Sequence, residues 1–269
     1  SLMAVIPILT TMGLNVCPLP TAILSNHSQY PDFSFLDLTD EMLRIIEKWK
    51  KLDIRFDAVY SGYLGSPRQC EIVHDFVQYF RKPGTLVVVD PVLGDNGALY
   101  SKITLEMVQQ MRKLAACADV LTPNLTEAFS LLDRPYQAEC SHETLKELIS
   151  GLAELGPDTV IITGVPVPGQ PELTSVIARS RTDRRTWMVT CPYLPAHYPG
   201  TGDTFTSVIT GSLLQGDSLP IALDRAVQFI LQGIRATFGY QVDSREGILL
   251  ERVLPLLKMP IQSSSYELI

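Results

Sequence analysis

Residues 85–95 read Thr85-Leu86-Val87-Val88-Val89-Asp90-Pro91-Val92-Leu93-Gly94-Asp95. The first five carry no polar alternation. That predicts a strand buried on both faces, and hence a mainly parallel sheet with helices on either side. The strand stops at Asp90-Pro91, and a glycine-bearing turn then presents a second carboxylate, Asp95. Ligands of open α/β sheets gather at the carboxyl ends of strands, so this acidic loop is a candidate site.

The same unit recurs on both sides of it. Upstream, Ala58-Val59-Tyr60 predicts a strand ending at Ser61-Gly62-Tyr63, with a helix over 69–80. Thr39 is placed to cap a helix over 40–52 whose apolar positions share one face. Residues 4–12 read as a helix running into Gly13, and Asn15–Pro18 as a short strand. Downstream, a helix over 104–116 precedes a short strand at Val120-Leu121-Thr122, a loop at Pro123-Asn124 and a helix from about Thr126. A helix over 143–155 leads to Thr159–Thr163, a second fully apolar strand stopped by Gly164. Residues 165–187 are rich in Pro, Arg, Thr and Ser and predict antiparallel edge structure, with a strand over 173–179 and a reversal near 180–185. A long helix starts at Gly202 or Asp203, another covers 219–235, and the end of the chain has room for a short strand. The expectation is one domain over 1–269, without internal repeats.

Composition narrows the function. The chain has 269 residues, 46% hydrophobic and 19% charged, which suits one sizeable core. A net charge of −7 argues against nucleic acid as a partner. No run is long enough to span a membrane, and the apolar start lacks a basic leader, so no signal peptide is expected. Cys17, Cys70, Cys117, Cys140 and Cys191 are scattered and odd in number, which predicts reduced thiols and a cytoplasmic protein. The four histidines are dispersed, against a transition-metal site.

The second decisive stretch is Gly200-Thr201-Gly202-Asp203-Thr204-Phe205. Two glycines let the backbone approach a ligand, and a helix start offers unpaired N–H groups and the positive end of the helix dipole to an anion. Taken alone, Asp203 reads first as a helix cap. Taken with a phosphate on those amides, it can accept the proton of an attacking hydroxyl. The loop is neither a Walker A sequence nor a dinucleotide fingerprint. Asp90, Asp95, Thr122, Asn124 and Glu127 would stand on the same rim, and hard oxygen donors beside phosphate suit Mg²⁺ held largely through water. Thr163 and Gly164, at the end of their strand, would join them and reach a nucleotide's phosphates.

These stretches together resemble the pyridoxal kinases of the ribokinase-like superfamily. The likeness rests on SNH at 25–27, SGYLGS at 61–66, DPVLGD at 90–95, LTPNLTE at 121–127, IITG at 161–164 and GTGDTF at 200–205. It implies a three-layer αβα sandwich with a small antiparallel flap. It also implies ATP-dependent phosphorylation of the 5′-hydroxymethyl group of pyridoxal, with pyridoxine and pyridoxamine as further candidate substrates, Mg²⁺, often a monovalent cation such as K⁺, and a homodimer. By the same resemblance Asp203 is the base, and Gly200, Thr201 and Gly202 the anion hole. Asp90 and Asp95 stand near phosphate and metal, Thr122, Asn124 and Glu127 order Mg²⁺ and the phosphates, and Thr163 contacts nucleotide. His27 and Ser28 lie beside the pyridine ring and Tyr63 covers it. Related hydroxymethylpyrimidine kinases tend to carry GTGC where this chain has GTGD, which favours pyridoxal, although dual-specificity members exist. Family members begin with a strand and a polar loop ahead of the segment that opens here, so upstream residues are expected. Cys191 reads as an ordinary strand-end thiol, with hemithioacetal formation on an aldehyde as the alternative. Arg179, Arg181, Arg184 and Arg185 read as a solvated turn of the flap, with a place near ATP as theirs.

Overall fold

The computed structural model describes residues 2–27, 30, 32–182, 184–196, 198–240, 243–260 and 265–269. Helix α1 (Leu2–Thr11) is followed by a hairpin of β1 (Ala22–Leu24) and β2 (Phe35–Asp37). Next come α2 (Thr39–Lys51), β3 (Ala58–Ser61), α3 (Pro67–Phe80) and β4 (Leu86–Val89), then a tight hairpin of β5 (Gly94–Asp95) and β6 (Ala98–Leu99). The middle of the chain supplies α4 (Leu105–Ala115), β7 (Val120–Leu121), α5 (Leu125–Leu131), α6 (His142–Glu154), β8 (Thr159–Pro166), β9 (Leu173–Ser180) and β10 (Thr186–Pro192). It ends with α7 (Thr201–Leu214), α8 (Leu219–Phe238), α9 (Leu250–Val253) and β11 (Tyr266–Leu268).

Seven strands form one sheet in the order β11-β10-β9-β8-β7-β4-β3. The half from β3 to β8 is parallel, and β9, β10 and β11 extend it antiparallel. Side chains alternate along each strand, and the apolar runs feed two separate cores. Val87, Val89, Leu121, Val160 and Ile162 pack with residues of α2 to α6. Val88, Val120, Ile161, Val176, Ala178 and Val189 pack with Ile8, Phe205, Val208, Leu223 and Ala226 of α1, α7 and α8. Val87, Val88 and Val89 are each fully buried, which accounts for a strand without polar alternation. Each such side chain contributes about 1.5–3 kcal/mol through its burial. The result is the expected αβα sandwich.

Local differences from the sequence reading have physical causes. Asn15–Pro18 takes no strand pairing. Thr39 is the first helical residue of α2 rather than its cap; Leu38 holds the cap position, and Asp37 Oδ1 accepts from Thr39 N at 2.8 Å. The strand predicted over 173–179 is not an edge, because β10 and β11 lie beyond it. The 165–187 region therefore belongs to the main sheet, and the small flap is the separate β1–β2 hairpin. The arginines consequently do not sit on the flap. Thr159 pairs with Ser180, so the β9–β10 turn lies at the amino end of β8, opposite the rim near Thr163. There Arg179 donates to Ser150 Oγ at 2.7 Å, and Arg181 donates to the carbonyls of Ala153 and Gly156 at the end of α6. Gly164 does not stop β8 as expected, because Val165 and Pro166 resume pairing with β9.

Candidate active site

Because β3, β4, β7 and β8 are parallel, their carboxyl ends open on one rim. Backbone bonds carry the ladder past the last strand residues: Asp90 N donates to Ser61 O, Thr122 N to Val89 O and Thr163 N to Pro123 O. Asn124 and Thr163 form a parallel bridge there. The register between β8 and β9 shifts between Ile162 and Val165, so Thr163 and Gly164 bulge out of the ladder at the rim.

Helix α7 aims its start at this rim. Gly200 is its N-cap with φ of 85°, a left-handed value that a side chain would disfavour. Geometry leaves the first-turn N–H groups without intrahelical acceptors; the first backbone bond back to the cap is Thr204 N to Gly200 O at 2.9 Å. Asp203 lies in that first turn. A Cβ built on Gly62 would stand 3.5 Å from Asp203 Oδ1, and one on Gly202 would stand 3.9 Å from Asp90 Oδ2. The glycine of SGYLGS and that of GTGD therefore bring three loops together at Asp203 and Asp90.

Asp90 is buried. Burial first, then the Glu127 and Asp203 carboxylates, push its carboxyl well above the usual range, against a hydrogen bond from Thr206 Oγ1 at 3.4 Å. Thr206 also shares a 2.9 Å bond with Thr122 Oγ1. Glu127 ties two acidic loops together. Its Oε1 accepts from Leu93 N and its Oε2 from Asn124 N, both at 2.9 Å, while Asn124 Oδ1 accepts from Glu127 N in a reciprocal capping box. Asn124 Nδ2 donates to Gly94 O at 2.8 Å, closing the bridge to DPVLGD. Asp95 opens the adjoining turn and accepts from Asn96 N at 2.8 Å.

Burial raises the Glu127 carboxyl to about 7, against the pull of the Asn124, Leu93 and Gly94 amides. Its folded-state pKa thus lies above the unfolded value of 4.5. The associated stability is fully present below that lower value and is lost as pH rises through about 7. Protein free of nucleotide and metal is expected to be less stable at pH 8 than at pH 5, by on the order of 3 kcal/mol from this group, and so to melt at a lower temperature. Thermal melts across that window check it. Glu127→Gln should flatten the slope while lowering stability overall, since an amide can serve only one of the two backbone N–H groups. A slope unchanged by Glu127→Gln would sink the assignment.

Three side chains on the rim escaped the sequence reading: Tyr60, Thr206 and Ser207. Tyr60 OH lies 3.5 Å from Asp203 O, which also accepts from Ser207 Oγ at 2.6 Å. Burial, then Asp90, then Asp203 push the Tyr60 phenol well above its ordinary value. The signal available was that strand alternation turns Tyr60 toward the α7 layer, and that positions 206 and 207 follow Asp203 by one helical turn.

The expected ring-side residues are less concentrated. Tyr63 lies on the SGYLGS loop, and Thr21 Oγ1 donates to its carbonyl at 3.3 Å. His27 Nε2 donates to Arg245 O at 2.6 Å, and its ring meets Tyr30 edge-on, so a strong tie of His27 runs to the 243–245 turn. Ser28 lies outside the described residues. Cys191 packs beside the α7–α8 core, and burial raises its thiol to about 11, which suppresses thiolate at neutral pH. No described helix is long and apolar enough to cross a membrane, and all five cysteines are free.

The model of the phosphomethylpyrimidine kinase family matches residues 9–247. The chain belongs to the pyridoxal and phosphomethylpyrimidine kinase family. The pyridoxal kinase PdxY of Paraburkholderia xenovorans is 30% identical to it over 241 residues, covering 84% of this chain and 80% of that one. A protein of Bacteroides thetaiotaomicron, described as a phosphomethylpyrimidine kinase and crystallised with pyridoxal, is 68% identical. It covers all of this chain and 94% of its own with a TM-score of 0.97. Pyridoxal kinase of Leishmania donovani, solved with ADP, is 25% identical over 98% of this chain and 92% of that one, with a TM-score of 0.89. This family member therefore has the ribokinase-like fold of its solved relatives and is a kinase.

Proposed function

We propose that the protein transfers the γ-phosphate of ATP to the 5′-hydroxymethyl group of pyridoxal, giving pyridoxal 5′-phosphate and ADP. The observation that carries this is the meeting of the α7 start, the buried Asp90 and the SGYLGS loop around the Asp203 carboxylate. The Bacteroides relative crystallised with pyridoxal supports the ring assignment.

In this reading Asp203 takes the proton from the substrate hydroxyl as its oxygen attacks the γ-phosphorus and the bond to the β-phosphate bridging oxygen breaks. The N–H groups of Gly200, Thr201 and Gly202 face the phosphoryl oxygens and stabilise the charge that spreads over them. Asn124, Thr122, Asp90, Thr163 and Gly164 line the nucleotide side. Tyr63 and His27 take the ring, with Ser28 joining them by the family resemblance alone; an aromatic face suits a flat pyridine.

Mg²⁺ fits this donor set as an ion carried with the nucleotide. Asp90, Asp95 and Glu127 are hard oxygen donors; burial first, and then neighbouring carboxylates, raise the Asp90 and Glu127 carboxyls, a cost that a nearby cation would relieve. Both Glu127 oxygens already accept backbone N–H groups, and among the described residues no three His, Cys, Asp or Glu side chains converge as a metal cage. Asp95 and Glu127 would therefore hold the ion through its waters, and it would supply charge neutralisation of the phosphates. Five free thiols fit a reducing cytoplasm.

The match to the phosphomethylpyrimidine kinase family supports a pyrimidine as the alternative substrate, with hydroxymethylpyrimidine as its unphosphorylated form, or acceptance of both rings. An ATP-Mg²⁺ assay with pyridoxal, pyridoxine and hydroxymethylpyrimidine decides between them. The highest kcat/KM is expected on pyridoxal, at least tenfold over the pyrimidine. Preference for the pyrimidine would replace the reading, and turnover of none would remove it.

A further inference from the structure

Gln69 is fully buried on the first turn of α3, three residues after the N-cap Ser66. A polar side chain there often serves only to cap its helix, but Ser66 Oγ already caps α3 by accepting from Gln69 N, and one half of the Gln69 amide reaches back to the preceding loop: Gln69 Oε1 accepts from Gly65 N at 2.7 Å. The other half points away from the helix. Gln69 Nε2 donates to Thr21 O at 2.9 Å, Thr39 Oγ1 at 3.0 Å and Asp37 Oδ2 at 3.3 Å. Thr21 immediately precedes β1, Asp37 ends β2 and Thr39 starts α2, so one amide grips both legs of the flap at their root. The carbonyl side holds the SGYLGS loop, to which Thr21 Oγ1 adds its bond to Tyr63 O at 3.3 Å. Contacts nearer the flap's tip lie at the surface. Lys102 Nζ stands 4.2 Å from the Phe35 ring centroid, and the Arg245 guanidinium lies 4.6 Å from that of Tyr30.

We infer that Gln69 is a positioning residue for the ring substrate, its amide fixing the flap root against the SGYLGS loop so that Tyr63 and the flap keep a set height over Asp203. This rests on the proposed reading that the ring lies between Tyr63 and the flap. The amide does what no other side chain of this size does at once. It needs an acceptor toward Gly65 and donors toward the flap. A carboxylate would keep the first and lose the second, and would face Asp37 with like charge.

Gln69→Glu therefore separates the two halves of the amide, because it keeps the acceptor for Gly65 N and leaves the Ser66 cap of α3 untouched. The expected result is a KM for pyridoxal raised about tenfold, with the KM for ATP and kcat each within about threefold. Hydrogen exchange of the amides of 22–37 should accelerate, while those of α3 stay protected. Adding Asp37→Asn, which puts a donor opposite the introduced carboxylate, should restore most of both effects. A purely folding defect is told apart by its breadth: it would speed exchange in α3 and raise the KM for ATP as well, whereas loss of flap positioning leaves both in place. Unchanged flap exchange, or an ATP KM that rises as much as that for pyridoxal, overturns the inference. So does a pyridoxal KM that stays put while the flap loosens. Failure of the functional reading would look different: the unsubstituted protein would phosphorylate no ring alcohol, whatever its flap exchange.

Discussion

Asp203→Asn is expected to lower kcat on the ring alcohol by about 10³-fold, with the fold, the melting temperature and ATP affinity nearly unchanged. A positioned general base contributes about 10²–10⁴-fold, and Asn matches Asp in shape while losing the proton affinity the step needs. Stability should change little, because a carboxylate in the first turn of α7 gains only about 0.3–1 kcal/mol from the helix dipole. The substitution also removes one of the charges that raise Asp90, so the Asp90 carboxyl should ionise more readily. Steady-state kinetics, nucleotide titration and a thermal melt on the same preparation check these expectations. Retention of more than about a tenth of the original kcat would mean that another group accepts the proton. Loss of ATP affinity in parallel with kcat would instead make Asp203 part of the nucleotide site.

How far the sequence could be read depended on the distance over which each feature is specified. Val87–Val89 and Ile161-Ile162 needed nothing beyond their own lack of alternation to be placed in a central sheet, and the sheet direction then placed Asp90, Thr122 and Thr163 on one rim. Asp203 was ambiguous read alone and became the expected base only beside DPVLGD, LTPNLTE and IITG; that Gly62 and Gly202 bring three loops together at it is a tertiary feature that the sequence does not state. The flap was misplaced because turn-rich composition at 165–187 marks a hairpin without saying which sheet it joins; pairing of Thr159 with Ser180 settles that, and sequence spacing does not contain it. Gln69 was invisible for the same reason. It reads as one polar position on an amphipathic helix, and only tertiary contacts 30 to 48 residues away show its amide to be engaged on both sides.

Gly94→Ala should be the most damaging change that touches no reacting group. Gly94 lies in β5, where Gly94 and Asp95 pair with Leu99 and Ala98. A Cβ at Gly94 would stand 2.2 Å from Ala98 O and 2.8 Å from Leu99 Cα, and both obstacles are backbone. The hairpin must therefore open or shift, since no side chain can swing aside. Gly94 O also receives Asn124 Nδ2, and the preceding Leu93 N donates to Glu127, so the shift pulls on both acidic loops. Misplacement of a positioned group by about 1 Å can cost 10²-fold, and overpacking of this kind costs about 1–3 kcal/mol. The expected outcome is kcat/KM down by about 10²-fold, the Glu127-dependent pH slope of stability altered, and a lower melting temperature. Gly239→Ala is the control: Gly239 follows α8 with φ of −74°, and nothing lies within 4 Å of its added Cβ. It should be neutral or stabilise by up to about 1 kcal/mol. Kinetics of Gly94→Ala within threefold of the unsubstituted protein would show that the 90–95 loop does not need its observed position for phosphoryl transfer. The joint assignment of Asp90, Asp95 and Glu127 to the phosphate and metal side would then fall.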